Sequence, residues 1–258
     1  MKKTVEFIQS MKRASQKIAM LTAYDCPTAR VLNDAELDVI LVGDSLGMVV
    51  LGFEDTRSVT MADMLHHTRA VARGNTECLI VSDLPFGAYE SPSEAVENAR
   101  LLRGAGADAV KPEGKKLESI KAIIADGIPV MGHVGLLPQT SESFRVHGRK
   151  PSEATQISND AKALEAAGCF AIVLEGIPAW LAKEITAASQ IPTIGIGAGA
   201  ACDGQVLVLH DLMGFFDQFN PTFAKKYAEL GQDLKRAVTH YRLEVKQGLF
   251  PDKEHTYH

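Results

Sequence analysis

Cysteine is scarce in this chain: four residues in 258, at Cys26, Cys78, Cys169 and Cys202, with no CxxC pair among them. Such spacing excludes a disulfide framework and a thiolate zinc site, and it reads as reduced, mostly buried thiols. Long apolar runs are also missing. No uninterrupted stretch approaches the roughly 20 residues needed to span a bilayer, and TVEFIQSMKR after Met1-Lys-Lys lacks the apolar core of a signal peptide. The protein is therefore expected in the cytoplasm, away from membranes. There is no basic stripe or Arg-rich tail, and the formal charge is only −5, so nucleic acid is not expected as a partner. Solenoid repeats, low-complexity segments and interdomain linkers are absent too.

What is present is an ordinary globular composition, 46% hydrophobic and 23% charged. Short β-like runs alternate with helical patterns. Eight candidate strands fall at 17–24, 38–44, 78–85, 108–114, 128–135, 170–176, 191–199 and 205–211. Ser91-Pro92-Ser93-Glu94 offers an N-cap, a first-turn proline and a capping acid, while Ala105-Gly106, Asp126-Gly127 and Ala167-Gly168 supply helix stops. Strand and helix alternating eight times predicts an α/β (β/α)8 TIM barrel, a fold that commonly runs to about 250 residues as one domain. A doubly wound open sheet is the competing architecture. On the barrel reading, residues 1–258 form one domain. An amphipathic helix over 4–15 crosses the bottom, and a long helix over 225–248 extends the carboxyl end. The polar stretch 138–151 reads as a flap over the site.

The segment VILVGDSLG (39–47) poses a question: why does a buried strand stop on an acid and a hydroxyl? The carboxyl ends of strands are where α/β proteins bind ligands. Polar groups recur at that edge: Asp44 and Ser45 after strand two, Asp83 after three, Lys111 and Glu113 after four, His133 on five, Glu175 on six. A single acid there is commonly a helix N-cap or a solvated turn residue; seven groups on five successive strand ends converge on one mouth. Carboxylates without clustered His or Cys specify hard oxygen ligation, which suits Mg²⁺ better than zinc. Lys111 points to an anionic substrate, with a structural pair to Glu113 as the alternative. His133 is read as a donor to a substrate oxygen, against a hydrogen-bonded core residue. Gly195-Ile-Gly-Ala-Gly199 is read either as a phosphate-binding turn or as close packing at the rim. Asp63, His66 and His67 lie on one helix, but adjacent histidines face different directions, so they are read as packed or solvated.

The set LTAYDCPTA, VGDSLGMVVLG, ADMLHHTRAV, SDLPFGAY, VKPEG, GHVGLLPQ, VLEG and IGIGAG resembles the ketopantoate hydroxymethyltransferase family over nearly the whole chain. The resemblance implies a barrel of the phosphoenolpyruvate mutase and isocitrate lyase type, Mg²⁺, and a large homo-oligomer, usually a decamer. It implies transfer of a one-carbon unit from 5,10-methylenetetrahydrofolate to 3-methyl-2-oxobutanoate, giving 2-dehydropantoate. By position it implies Asp44, Asp83 and Glu113 as metal carboxylates, and Asp44, Ser45, Asp83, Lys111 and His133 as substrate contacts. Glu175 is implied as proton acceptor. Neither substrate needs a phosphate site at Gly195–Gly199, so rim packing or folate contact gains there. The segment 141–150 is shorter than the family's and Leu137 stands where Thr is common, which bears on the folate side. Another metal-dependent 2-oxo-acid C–C lyase or mutase on the same barrel is the alternative enzyme. A non-catalytic metabolite-binding barrel, which would tolerate losing a carboxylate, is the alternative class.

Overall fold

The computed structural model describes residues 2–141, 145–215 and 222–257. Eight parallel strands make one sheet: β1 (Ile18–Thr22), β2 (Val39–Val42), β3 (Leu79–Asp83), β4 (Ala109–Lys111), β5 (Met131–Gly135), β6 (Ala171–Glu175), β7 (Thr193–Ile196) and β8 (Gly204–Leu207). Strand β1 pairs with both β2 and β8, and one further bridge between Val110 and Val130 joins β4 to β5. The sheet thus curls into a nearly closed barrel. Its seam is thin for a simple reason: β4 is three residues long, and Pro112 and Pro129 beside the seam have no N–H to donate.

The helices are α1 (Val5–Arg13), α2 (Cys26–Asp34), α3 (Leu46–Val49), α4 (Met61–Gly74), α5 (Pro92–Ala105), α6 (Leu117–Ala125), α7 (Pro151–Ala166), α8 (Ala179–Ala188), α9 (Leu209–Leu212) and α10 (Leu230–Gln247). Their ends follow the expected signals. The Ser91 side chain accepts from the Glu94 N–H, with Pro92 in the first turn of α5, and Gly106 closes that helix in the left-handed conformation. On α4, Thr60 and Asp63 form a reciprocal capping box, and His67 Nδ1 contacts the Tyr24 carbonyl. Asp63 is thus a helix cap and His67 is packed, while His66 is exposed. All four cysteines are free, three of them buried.

The chain forms two compact units, Met1–Leu207 and Val208–His258. In the first, alternate strand residues share one apolar cluster: Ile18 and Met20, Val39 and Leu41, Leu79 and Val81, Ala109, Met131, Ala171 and Val173, Ile194 and Val206. A period of two on strands that tilt around a barrel sends such residues inward. Ile8 and Met11 of α1 join the same cluster. Helix α1 is tied to the amino ends of strands, with Gln9 donating to the Phe170 carbonyl and Lys12 pairing with Asp203. It plugs the bottom of the barrel, which directs the open mouth to the other end.

Two sequence expectations shift in the second unit. The eighth strand was expected over 205–211 but ends at Leu207, and Leu209–Leu212 is a helical turn instead. An apolar run such as VLVL cannot distinguish strand from helix by period; the Leu212 N–H and Met213 N–H close back on Val208 and Leu209. The terminal helix starts at Leu230 rather than 225, because the Tyr227 and Leu230 N–H groups are spent on the carbonyls of Leu212 and Met213. Part of the 138–151 flap reading, residues 142–144, lies outside the described residues.

Candidate active site

The inward parity of the strands carries directly into the mouth. Residues 79 and 81 continue to Asp83, 109 to Lys111, 131 to His133, and 171 and 173 to Glu175. On β2 the inward position after Leu41 is Gly43. A Cβ there would lie 2.9 Å from Ser45 Oγ and 3.6 Å from Asp83 Oδ2, so the bare backbone makes room for both polar groups. Asp44 follows, then the short helix α3. The strand stops on an acid because that acid faces its neighbours across the mouth.

The structure brings the predicted residues together. Asp83 Oδ2 accepts from the Asp44 N–H at 3.0 Å, and Asp83 Oδ1 lies 3.0 Å from Lys111 Nζ. Lys111 Nζ is 3.5 Å from His133 Nδ1, which is also 3.5 Å from Glu113 Oε1. On the far side of the ring, His133 Nε2 lies 3.1 Å from Glu175 Oε2, close in distance but not aligned to donate. Ser45 Oγ meets the Tyr24 hydroxyl at 2.9 Å. The salt-bridge partner of Lys111 is thus Asp83, not the Glu113 considered as its structural alternative. His133 bridges charges instead of sitting in an apolar core.

Burial governs the electrostatics. Asp44, Asp83, Lys111, Glu113 and His133 are all 5% exposed or less. Desolvation and the adjacent Asp83 push the Asp44 carboxyl up to about 7. Burial and Asp44 raise Glu113 well above the usual carboxylate range. Burial by itself would lower the Lys111 ammonium, but Asp83, Glu113 and Asp44 more than reverse this and hold it charged. Burial and Lys111 lower His133, which favours a neutral ring. Four carboxylates therefore share one mouth with one ammonium.

That excess is the physical case for a cation. The donor set is all oxygen, the single ammonium is spent on Asp83 Oδ1, and two carboxyls resist ionisation because of their neighbours. A hard divalent ion fits this chemistry. Among the described residues no group of three His, Cys, Asp or Glu side chains is already gathered as a metal cage. Lys111 and Gln139 currently satisfy the oxygens instead.

Three participants escaped the sequence reading. Gln139 is 1% exposed, donates from Nε2 to Asp44 Oδ2 at 2.7 Å, and donates from its backbone to Glu113 Oε2 at 3.0 Å. The Tyr89 hydroxyl donates to its side-chain oxygen. Tyr24 braces Ser45. Gln139 sits in a polar stretch that gave no periodic signal, and a tyrosine in a loop gives none either. At the rim, a Cβ on Gly199 would approach that of Ala179 to 2.7 Å, and one on Gly195 would approach Cys202 Sγ to 2.9 Å. Close packing is what these glycines permit.

The fold and the mouth define a class: a (β/α)8 barrel with an acidic, lysine-bearing site at the strands' carboxyl ends. In fold the chain resembles 2,3-dimethylmalate lyase, a member of the phosphoenolpyruvate mutase and isocitrate lyase superfamily, at a TM-score of 0.65 and 16% identity, covering 99% of this chain and 92% of that one. It resembles phosphoenolpyruvate phosphomutase from Streptomyces platensis subsp. rosaceus at 0.64 and 14%, covering 97% and 92%. Sequence narrows the class further. The family model for ketopantoate hydroxymethyltransferase matches residues 2–253. The 3-methyl-2-oxobutanoate hydroxymethyltransferase of Moorella thermoacetica is 53% identical, over 98% of this chain and 97% of its own length. That of Clostridium acetobutylicum is 52% identical, over 100% and 96%. The chain belongs to the ketopantoate hydroxymethyltransferase family.

Proposed function

We propose that this protein transfers a hydroxymethyl group to 3-methyl-2-oxobutanoate, giving 2-dehydropantoate for pantothenate synthesis, with 5,10-methylenetetrahydrofolate as donor. The observation that carries the mechanism is the run Asp83–Lys111–His133–Glu175, in which an ammonium and a carboxylate flank one neutral ring. Lys111, held charged, attracts the substrate carboxylate and opposes negative charge that develops on the oxo group. Ser45, braced by Tyr24, offers a hydroxyl to the same carboxylate. Neutral His133 can donate one N–H to a substrate oxygen. Glu175, the more exposed acid with a side chain 15% accessible, takes the C3 proton. The C3 electron pair then forms the new bond to the methylene carbon, and water supplies the hydroxyl as tetrahydrofolate leaves.

Mg²⁺ would be held by Asp44 and Asp83, with Glu113 as the third carboxylate, and would supply Lewis-acid polarisation of the oxo acid. The carboxylate excess at the mouth supports this. A lyase or mutase activity, as in the structural neighbours, is disfavoured because family membership extends over nearly the entire chain. For the assembly, we propose a closed homo-oligomer, ten subunits on the family pattern, with α1 and α10 as contact elements. No helix among the described residues is long and apolar enough to cross a membrane, in keeping with a cytoplasmic location.

The deciding experiment is exchange of the C3 proton of 3-methyl-2-oxobutanoate into D₂O, without folate and at saturating oxo acid. Glu175→Gln should bind the oxo acid yet lose on the order of 10²–10⁴ in exchange and in turnover. Exchange within a few-fold of wild type would transfer the base role to another group. Exhaustive chelation should abolish turnover and Mg²⁺ restore it; full activity after chelation would remove the metal from the reading.

A further inference from the structure

Gln139 is the most fully engaged polar side chain in the mouth. Its Nε2 donates to Asp44 Oδ2 at 2.7 Å and to the Leu84 carbonyl at 2.9 Å, so both amide hydrogens are used. Its Oε1 accepts from the Tyr89 hydroxyl. Its backbone N–H donates to Glu113 Oε2 at 3.0 Å. Tyr89 is held in turn, because its hydroxyl accepts from the Glu113 N–H at 3.2 Å and its carbonyl accepts from Ser119 Oγ at 3.0 Å. One residue of the β5–α7 connection therefore grips two carboxylates that come from β2 and β4.

We propose that Gln139 is a positioning residue: with Tyr89 behind it, it fixes Asp44 and Glu113 so that Asp44 Oδ1 and Glu113 Oε1 are the oxygens presented to a divalent cation and the oxo acid. This rests on the assignment of Asp44, Asp83 and Glu113 to the cation. The chemistry requires an amide at this position. Leucine of similar length has no donor, and a glutamate would set a third carboxylate against the other two. Loss of an outer partner that orients a ligand typically costs 10- to 100-fold in metal affinity. Because the same side chain closes the start of the connection onto Leu84, its loss also frees the backbone of residues 136–141, whether or not metal is bound.

The test uses Mn²⁺ as a paramagnetic probe on the full-length protein, with affinity read by electron paramagnetic resonance. Gln139→Leu should bind Mn²⁺ about 10- to 100-fold more weakly, with faster amide exchange over 136–141 in the metal-free state. Tyr89→Phe, which removes the hydroxyl behind the amide together with the acceptor of the Glu113 N–H, should weaken Mn²⁺ about 3- to 10-fold in a protein that still folds, at a lower melting temperature. It should raise KM for the oxo acid more than it lowers kcat. Asp83→Asn serves as the reference for a direct ligand. If Asp83→Asn loses Mn²⁺ while a folded Gln139→Leu binds within threefold of wild type, the positioning role is overturned and the carboxylate assignment stands. If Gln139→Leu does not fold, Tyr89→Phe decides alone, and unchanged Mn²⁺ affinity there overturns the proposal. Wild type that fails to bind Mn²⁺ overturns both.

Discussion

Asp44 shows most sharply how burial and charge set the behaviour of a single residue. Its carboxyl is raised from 3.8 to about 7 by desolvation and by Asp83. A carboxyl whose folded pKa lies above its unfolded one stabilises the metal-free fold fully below the unfolded value. That contribution is lost as pH rises through the folded value. Asn cannot ionise, so Asp44→Asn removes the loss. Metal-free Asp44→Asn should therefore gain stability relative to wild type between pH 5 and pH 7.5, by at most about 1.4 kcal/mol per pH unit. Urea denaturation at the two pH values measures this, and a pH-independent difference would mean that Asp44 is already ionised in the folded state across this range, as it is in the unfolded chain. The same logic explains why the sequence revealed this residue: an acid closing an apolar strand conflicts with its surroundings, and that conflict is visible in one dimension. Gln139 conflicts with nothing locally. Its role arises only when Leu84, Asp44 and Glu113 meet it in space, so no pattern in its own neighbourhood discloses it.

At the scale of elements, the strands deliver the site and the strand ends are packed to tolerate no slack. Gly135 has φ +100°, and a Cβ on it would come within 2.2 Å of the Glu175 carbonyl oxygen. That oxygen accepts from the Leu136 N–H at 2.8 Å, which locks the end of β5 to the end of β6 where the proposed base begins. Gly135→Ala must break this lock or strain it. The variant should lose about 1–3 kcal/mol of stability and should lower kcat more than it alters KM, because the Glu175 backbone moves with the strand end. Thermal denaturation beside steady-state kinetics tests both, and a stable, fully active Gly135→Ala would show that β5 and β6 part freely here. Barrel strands were legible from sequence because both faces are buried, and VILV or IVSD admits few other readings. The eighth strand was overextended since VLVLHD carries the same composition into a helical turn. Length decided that boundary, not composition, through the return of the Met213 N–H to Leu209.

At the scale of the molecule, the second compact unit raises a different question, because its long helix has nothing buried. Not one residue of α10 is buried, yet Leu230, Leu234, Val238, Tyr241 and Val245 recur at steps of four, four, three and four, each between 38% and 56% exposed. That spacing places them in one stripe. An apolar stripe of about four turns is more than a soluble monomer ordinarily leaves to water, and its opposite faces are charged, with Arg236 paired to Asp233. A second copy of this chain is the occupant that the proposed homo-oligomer supplies. An isolated fragment 208–258 should be largely unfolded by circular dichroism, since a helix without a buried face draws little stability from its own hydrogen bonds. The double variant Leu234→Asp, Val238→Asp keeps helix-compatible residues while placing two charges in the stripe. If the stripe is an intersubunit contact, light scattering should show the assembly falling to smaller species in the variant. Proton exchange into 3-methyl-2-oxobutanoate should persist, because each mouth is built from strand ends of a single chain. A wild-type monomer, or a variant whose mass does not change, would remove α10 from the interface and leave its apolar stripe to some other partner.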